Sequence, residues 1–147
     1  MTLSPDMAAP KLNLSGVTIL VVDDNAEFQD VMRRFISSFG ANVREARDGE
    51  EGLAVLRKEK PQLIFCDLRM PVMDGFGFME RVASDPLFCR IPIIAVSGAG
   101  ADSDFMRTWA AGFSGHLLKP IGRDVISAQL ERVFWAHPRV EPVGVGT

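Results

Sequence analysis

The stretch QLIFCDLRMPVMDG, residues 62–75, decides the fold of this chain. An apolar run from Leu63 to Cys66 leads directly into an acid, Asp67, and Pro71 and the pair Asp74-Gly75 then favour a turn. A carboxylate at the end of a buried strand is costly unless a charged partner meets it. The stretch therefore predicts a buried strand that ends at a charged site.

Four other segments of the chain are also predicted to form strands. The run 17–22 is continuous and rich in β-branched residues, which is typical of a strand covered on both faces in a parallel sheet. The segment 42–46 is short and polar, which favours a position near the edge of the sheet. Pro92 precedes a strand over 93–96, and a fifth strand covers 116–118. The chain is thus predicted to contain five short strands.

Each strand is followed by a segment with helical periodicity. After the first strand the apolar residues recur with the spacing of one helical stripe, namely Phe28, Val31, Met32, Phe35, Ile36 and Phe39, and Gly40 ends the helix. Asp48 caps a second helix over 49–58, and Asp74 caps a third. A fourth helix, with Phe105, Met106 and Trp109, begins at Asp102 or Ser103, and a fifth runs over 123–135.

This alternation predicts an α/β fold, a doubly wound five-stranded parallel sheet with helices on both faces, as in flavodoxin-like proteins. The chain has 147 residues, which favours one domain. We expect a flexible tail over 1–14, the folded domain over 15–136 and a disordered tail over 137–147, which is rich in proline and glycine.

Composition excludes several classes of protein. The net charge of −3 does not suggest nucleic acid or an anionic membrane as the main partner. No apolar run approaches the roughly 20 residues that span a bilayer, and no secretory signal precedes the first strand. The two cysteines, Cys66 and Cys89, form no disulfide framework, so a reduced, cytoplasmic setting is expected.

Five chemically active residues lie where the predicted strands end. They are Asp23 and Asp24 after the first strand, Asp67, Ser97 and Lys119. Ligands of a doubly wound sheet bind beyond the carboxyl ends of its strands. Clustered carboxylates raise each other's pKa unless a cation joins them, and their oxygens suit Mg²⁺. Lys119 can neutralise a further anion at this edge, and Ser97 can donate a hydrogen bond to it.

The set Asp23-Asp24, Asp67 within DLRMPVMDG, Ser97-Gly98 and Lys119-Pro120 resembles the receiver domain of two-component response regulators over residues 16–136. The resemblance implies that Asp67 accepts a phosphoryl group from a histidine kinase or a histidine phosphotransfer protein. It further implies that Mg²⁺ is ligated by Asp24, Asp67 and the backbone carbonyl of Arg69, with Asp23 acting mostly through water. Lys119, next to a cis proline bond, would pair with phosphate oxygens, and Ser97 would bond one of them on activation.

The resemblance also locates a switch and an output surface. The family commonly has Tyr or Phe where this chain has His116, which is smaller and can become charged near neutral pH, so the switch is predicted to be weaker or sensitive to pH. A downstream protein would bind the surface formed by helix four, strand five and helix five. Trp109 and Trp135 belong to these helices, and either exposure or burial is compatible with the sequence.

Several alternatives remain open from sequence. The expected protein is a stand-alone receiver domain that is not an enzyme beyond possible self-catalysed phosphorylation and dephosphorylation, but it could be a segment of a longer regulator or hybrid kinase. A haloacid-dehalogenase-like phosphatase also uses an aspartate nucleophile with Mg²⁺, but it needs D-x-D on strand one, where this chain has Asp23-Asp24-Asn25. A flavodoxin-like cofactor binder would need a phosphate-cradling loop there. Asp23 and Asp24 could also simply cap the first helix.

Overall fold

Five strands and five helices alternate along the chain in the computed structural model, which describes residues 12–98 and 104–136. The strands are β1 Thr18–Val22, β2 Asn42–Ala46, β3 Leu63–Asp67, β4 Ile93–Ser97 and β5 Gly115–Leu118. The helices are α1 Ala26–Ser37, α2 Gly49–Glu59, α3 Gly75–Ala83, α4 Asp104–Ala111 and α5 Arg123–Ala136. None of the helices in these two ranges is long and apolar enough to cross a membrane.

The strands form one parallel sheet in the order β2-β1-β3-β4-β5. The predicted five-stranded doubly wound sheet is confirmed, and the polar β2 lies at an edge as expected. In the register of β3 with β4, Asp67 is paired with Val96, so that Asp67 and Ser97 end neighbouring strands. The parallel arrangement brings the chemically active strand ends to one edge of the sheet.

Helices cover both faces of the sheet, because the central strands are apolar on both sides. On one face α1 and α5 pack on the sheet, and the buried residues include Ile19, Val21, Phe65, Met32, Ile36, Ile126, Leu130 and Phe134. On the other face α2 and α3 pack on the sheet, and the buried residues include Leu20, Val22, Ile64, Cys66, Leu53, Leu56, Phe78 and Val82. These two layers hold the strand ends in fixed positions.

Side-chain caps fix where three helices begin. Asp48 accepts a hydrogen bond from the backbone of Glu51, and Asp74 accepts one from Gly77, as predicted. The first helix is capped by Asn25, whose side chain accepts from Phe28. Because Asn25 is the residue that caps α1, the interpretation of Asp23 and Asp24 as its caps is wrong.

Two details of the fold differ from the sequence predictions, and two further predictions fall outside the described residues. The predicted tail over 1–14 is too long, because Leu12 and Leu14 are buried in the core and the backbone of Val17 donates to Leu14. On α1 Val31 is exposed, and the polar Gln29 takes a buried position. The predicted start of the fourth helix at 102 or 103 and the tail over 137–147 lie outside the described residues.

Candidate functional site

Three carboxylates meet at the edge of the sheet where β1 and β3 end. One carboxylate oxygen from each of Asp23, Asp24 and Asp67 lies within 4.8 Å of the other two. Asp23 and Asp67 are buried, whereas Asp24 faces solvent. The structure thus brings together the three acids that the sequence places at strand ends, although Asp67 is more than 40 residues away from the other two along the chain.

Lys119 supplies a positive charge to this acidic cluster. Its Nζ lies 2.8 Å from Oδ2 of Asp23 and 3.7 Å from Oδ2 of Asp67. The same ammonium lies 4.3 Å from the ring centroid of Phe28, at the start of α1. The peptide bond between Lys119 and Pro120 is cis, as the resemblance implied. One lysine therefore joins the ends of three strands, and it faces more negative charge than it can balance.

The acids fit a small hard cation. Oδ1 of Asp23 accepts a hydrogen bond from the backbone of Asn25 at 2.8 Å. Oδ2 of Asp23 is buried and, within the described residues, has no hydrogen bond of acceptable geometry, only the ion pair with Lys119. A buried carboxylate oxygen with spare acceptor capacity, next to two more carboxylates, is the donor set that Mg²⁺ prefers. The residues present thus have the chemistry and proximity needed for a magnesium site.

The environment of Asp67 makes its charge costly. Burial raises the pKa of this carboxyl, and the neighbouring Asp23 raises it further. A hydrogen bond from the backbone of Arg69 to Oδ1, at 3.2 Å, and the charge of Lys119 act in the opposite direction but do not cancel the increase in pKa. An added cation next to Asp67 would therefore relieve an unfavourable concentration of negative charge, whereas a phosphoryl group on Asp67 would add to that charge.

A glycine lets the start of α3 approach the strand end that carries Asp67. The backbone of Gly75 donates a hydrogen bond to the carbonyl of Leu68 at 3.0 Å. A Cβ atom at position 75 would lie 2.5 Å from the carbonyl oxygen of Asp67 and 2.8 Å from Cα of Leu68. Only glycine fits this close approach, so the DG pair at 74–75 both caps α3 and fixes the loop that presents Asp67.

Ser97, at the end of β4, is buried and linked to β5 by two contacts. The backbone of Lys119 donates to the carbonyl of Ser97 at 2.7 Å. The hydroxyl of Ser97 lies 2.6 Å from Nε2 of His116. The other ring nitrogen of His116 lies 3.0 Å from the hydroxyl of Thr108, and the imidazole stacks on Phe105 with ring centroids 5.4 Å apart. The predicted switch residues thus touch each other and the fourth helix.

Two residues that help to hold the site in place, Gln29 and Thr108, were not predicted from the sequence. Gln29 is buried, and its amide nitrogen lies 2.9–3.0 Å from the carbonyl oxygens of Val21, Asp23 and Ala46, which share its two protons. It thereby ties α1 to the segment that presents the acids. The sequence did contain an indication of its burial, because Gln29 lies three positions before Met32 and seven before Ile36, which are both buried on the same helix. Thr108 gave no comparable signal, because its role depends on a contact with another element.

Comparison with known proteins agrees with this geometry. The family model described as the response regulator receiver domain matches residues 19–131. An uncharacterised 14.6 kDa protein of Leptolyngbya boryana is 35% identical over 108 residues, which is 74% of this chain and 82% of that protein. A gliding motility regulatory protein of Myxococcus xanthus is 32% identical over 78% of this chain, which spans only 15% of that longer protein.

One of the solved structures that are similar to this chain in fold and sequence has a metal ion bound. It is the receiver domain of a sensor histidine kinase from Pseudomonas aeruginosa, with a magnesium ion coordinated in its active-site cleft. It is 28% identical to this chain, with a TM-score of 0.74, and the match covers 81% of this chain and 98% of that one. Together with the match over residues 19–131, this similarity shows that the chain belongs to the response regulator receiver domain family.

Proposed function

We propose that this receiver domain is a phosphorylation-dependent signalling switch in which Asp67 accepts a phosphoryl group from a histidine kinase or a histidine phosphotransfer protein. The observation that carries the proposal is the meeting of three carboxylates with Lys119 at one edge of the sheet. Asp67 is the acid of this cluster that ends the central strand β3, and its loop is held by the close approach of Gly75.

The chemistry is a transfer between two side chains. An oxygen of the Asp67 carboxylate forms a bond to phosphorus while the bond from phosphorus to the donor histidine nitrogen breaks. The electron pair of the broken bond stays on that nitrogen. The imidazole, with one proton on its other nitrogen, is then neutral. Phosphoryl transfer depends mainly on positioning and on stabilisation of charge, and Lys119 is placed to pair with the phosphoryl oxygens.

The cofactor in this proposal is Mg²⁺. Asp23, Asp24, Asp67 and the backbone carbonyl of Arg69 would hold the ion, with Asp23 acting mostly through water. Bound there, it would reduce the repulsion between the acids and the incoming phosphoryl oxygens. The proposal is supported by the spare acceptor capacity of Oδ2 of Asp23 and by the magnesium-bound receiver domain that is similar to this chain.

The proposed output is a change in protein binding at the surface of α4, β5 and α5. Phe105, Met106 and Trp109 of α4 are each more than half exposed, as is Trp135 of α5, and Leu118 of β5 is about half exposed. Exposed aromatic and methionine side chains are typical of protein interfaces. The contact of Thr108 and Phe105 with His116, which touches Ser97, connects this surface to the strand end next to Asp67.

We place the protein in the cytoplasm, where phosphoryl donors with a histidine kinase domain operate. The described residues include both cysteines, Cys66 and Cys89, and both are free thiols. Free thiols are expected in a reducing compartment.

The proposal is tested by incubating the chain with acetyl phosphate and Mg²⁺ and measuring its intact mass. The wild-type protein is expected to gain one phosphoryl group, and Asp67→Asn is expected to gain none. Asp74→Asn is the matched control, because it changes an acid in the same loop and asparagine caps a helix as well as aspartate does. A gain of mass in Asp67→Asn, or none in the wild type with either acetyl phosphate or a kinase, would refute the acceptor role.

The same preparation separates a signalling switch from a phosphatase. We propose that the chain is not an enzyme of steady turnover, so p-nitrophenyl phosphate should be hydrolysed no faster by the wild type than by Asp67→Asn. Hydrolysis at ordinary enzyme rates, above about 1 per second, would instead favour an aspartate-nucleophile phosphatase.

A further inference from the structure

The hydroxyl groups around His116 determine where the protons of this cluster lie. Thr108 has a single hydroxyl proton, and it donates that proton to the backbone carbonyl of Phe105 at 2.8 Å. The oxygen of Thr108 can therefore only accept from Nδ1 of His116, which lies 3.0 Å away. This geometry assigns a proton to Nδ1 of His116 in both charge states of the ring.

This assignment fixes the direction of the bond to Ser97. A neutral imidazole with its proton on Nδ1 has a bare Nε2, which can only accept a hydrogen bond. At 2.6 Å the hydroxyl of Ser97 must then donate its only proton to Nε2. A charged imidazole carries protons on both nitrogens, so Nε2 donates and the oxygen of Ser97 accepts. Only in the second case is the proton of Ser97 available for another acceptor.

We infer that Thr108 and His116 form a chain of ordered protons that holds the hydroxyl of Ser97, and that His116 takes up one proton from solvent when Ser97 donates to a phosphoryl oxygen on Asp67. This inference rests on the proposed function. It makes His116 and Thr108 positioning residues, since they act through Ser97. Acid then favours the activated state, and phosphorylation favours the charged imidazole by the same factor, because linkage is reciprocal.

Among the described residues, the charged groups on the elements next to His116 lie on α4, just after β5 and on α5. The neighbouring residues on β4 are Ala95, its register partner, and Ser97, both neutral. The charged residues of α4 are Asp104 and Arg107, and the guanidinium of Arg107 stacks on the ring of Phe76 at 3.8 Å. Nζ of Lys119 is engaged with the acids.

On the side of α5, Arg132 donates to the backbone carbonyl of Ser114. The next residue, Gly115, lies on the face of β5 opposite to that of His116, because successive residues of a strand alternate between the two faces. A phosphoryl group itself adds negative charge, which can raise the proton affinity of the imidazole through space, so the test must separate that attraction from the bond to Ser97.

The test is an NMR titration of the imidazole in the full chain, with Mg²⁺ alone and with Mg²⁺ and beryllofluoride. The signals of His116 are distinguished from those of His137 by comparison with His116→Phe. In Mg²⁺ alone the nitrogen shifts of the neutral ring should report a proton on Nδ1. With beryllofluoride the titration midpoint should rise by about one pH unit, which is a tenfold change in proton affinity.

Two variants separate the bond from the added charge. Ser97→Ala keeps the negative charge of the mimic but removes the hydroxyl, so the midpoint should move by less than half as much at saturating beryllofluoride. Thr108→Val removes the acceptor for Nδ1, so the neutral ring should shift towards the form protonated on Nε2. Both changes are expected if the proton chain exists, and a purely structural role of these residues would give neither.

Several results would overturn the inference. They are a wild-type neutral ring protonated on Nε2, an unchanged midpoint while the mimic is bound, or equal shifts in the wild type and Ser97→Ala. Failure of beryllofluoride to bind at all would count against the proposed function instead. The protonated nitrogen of the neutral ring is read without the mimic, so it tests the inference even in that case.

Discussion

The ammonium of Lys119 lies 0.9 Å closer to the carboxylate of Asp23 than to that of Asp67, at 2.8 Å and 3.7 Å. Asp23 is completely buried, so the lysine provides the near positive charge for the acid that can least be solvated. The more distant Asp67 keeps an oxygen that a phosphoryl group could approach. We therefore expect Lys119 to stabilise the fold even when no phosphoryl group is present.

Lys119→Met should lower the free energy of unfolding by about 2–3 kcal/mol at neutral pH, because removing one partner leaves a buried charge uncompensated. Chemical denaturation without divalent ions measures this loss. Lys119→Arg keeps the charge and should lose less than half as much. Mg²⁺ should restore part of the stability of Lys119→Met. Equal losses in the two variants would indicate that the shape of the lysine side chain, and not its charge, matters.

A second prediction follows from the pKa of Asp67, which burial and the neighbouring Asp23 raise. The folded state then binds a proton at this carboxyl more tightly than the unfolded chain does. The ionised carboxylate therefore costs stability at neutral pH, and this cost disappears as the pH falls through the raised pKa. Asp67→Asn should therefore be more stable than the wild type at pH 7 without Mg²⁺.

The pH dependence is the decisive part of this measurement. The difference in free energy of unfolding between Asp67→Asn and the wild type should shrink as the pH is lowered into the carboxyl range. Asp74→Asn, at an exposed helix cap, should show no such difference. A destabilised Asp67→Asn at pH 7, or a difference that does not vary with pH, would contradict a raised pKa.

The main features of the fold could be predicted because periodicity is a local property. The continuous apolar run of β1 and the helical spacing of Phe28 and Met32 are visible without knowledge of the contacts. The burial of Leu12 and Leu14 was missed, because their segment has no clear period and its burial depends on the core that other elements form. The exposed position of Val31 likewise depends on how α1 is rotated against the sheet.

The site was predictable to the extent that strand ends mark it. Asp67 and Lys119 could be placed at one edge because parallel strands all end on the same side. The sequence offered no means to see that Asn25 rather than the acids caps α1. The spacing of Gln29 on the helix indicates burial, but not the three carbonyls that its amide contacts. The bond between Ser97 and His116 depends on β4 and β5 being neighbours, which is a tertiary fact.

The third prediction concerns the close approach of Gly75 to the strand end that carries Asp67. Gly75→Ala should lower the free energy of unfolding by about 1–3 kcal/mol, because the new Cβ meets backbone atoms that cannot move aside as a side chain would. It should also slow phosphorylation by acetyl phosphate, since relief of the clash displaces Asp67. Both properties are measurable on the same protein, by denaturation and by intact mass against time.

Gly122→Ala is the matched control, because a Cβ at position 122 meets no atom within 4 Å among the described residues. It should be neutral or slightly stabilising, since alanine restricts the unfolded chain more than glycine does. If Gly75→Ala were as stable and as rapidly phosphorylated as Gly122→Ala, the loop that carries Asp67 would be more adaptable than its contacts indicate.

The last prediction uses the one acid of the cluster that faces solvent. Mg²⁺ should raise the free energy of unfolding of the wild type, by about 2.7 kcal/mol at a concentration one hundred times the dissociation constant, and EDTA should reverse the gain. Because Asp24 is exposed, Asp24→Asn should keep its stability without metal to within about 0.5 kcal/mol. It should nevertheless lose most of the gain from Mg²⁺.

Asp48→Asn separates the loss of a ligand from a general loss of negative charge. Asp48 caps α2 and is not one of the three clustered acids, and asparagine serves equally well as a cap. This variant should keep the full gain from Mg²⁺, although its net charge changes as much as that of Asp24→Asn does. If both variants lost the same share of the gain, Mg²⁺ would be acting by screening the net negative charge, and Asp23, Asp24 and Asp67 would not form its binding site.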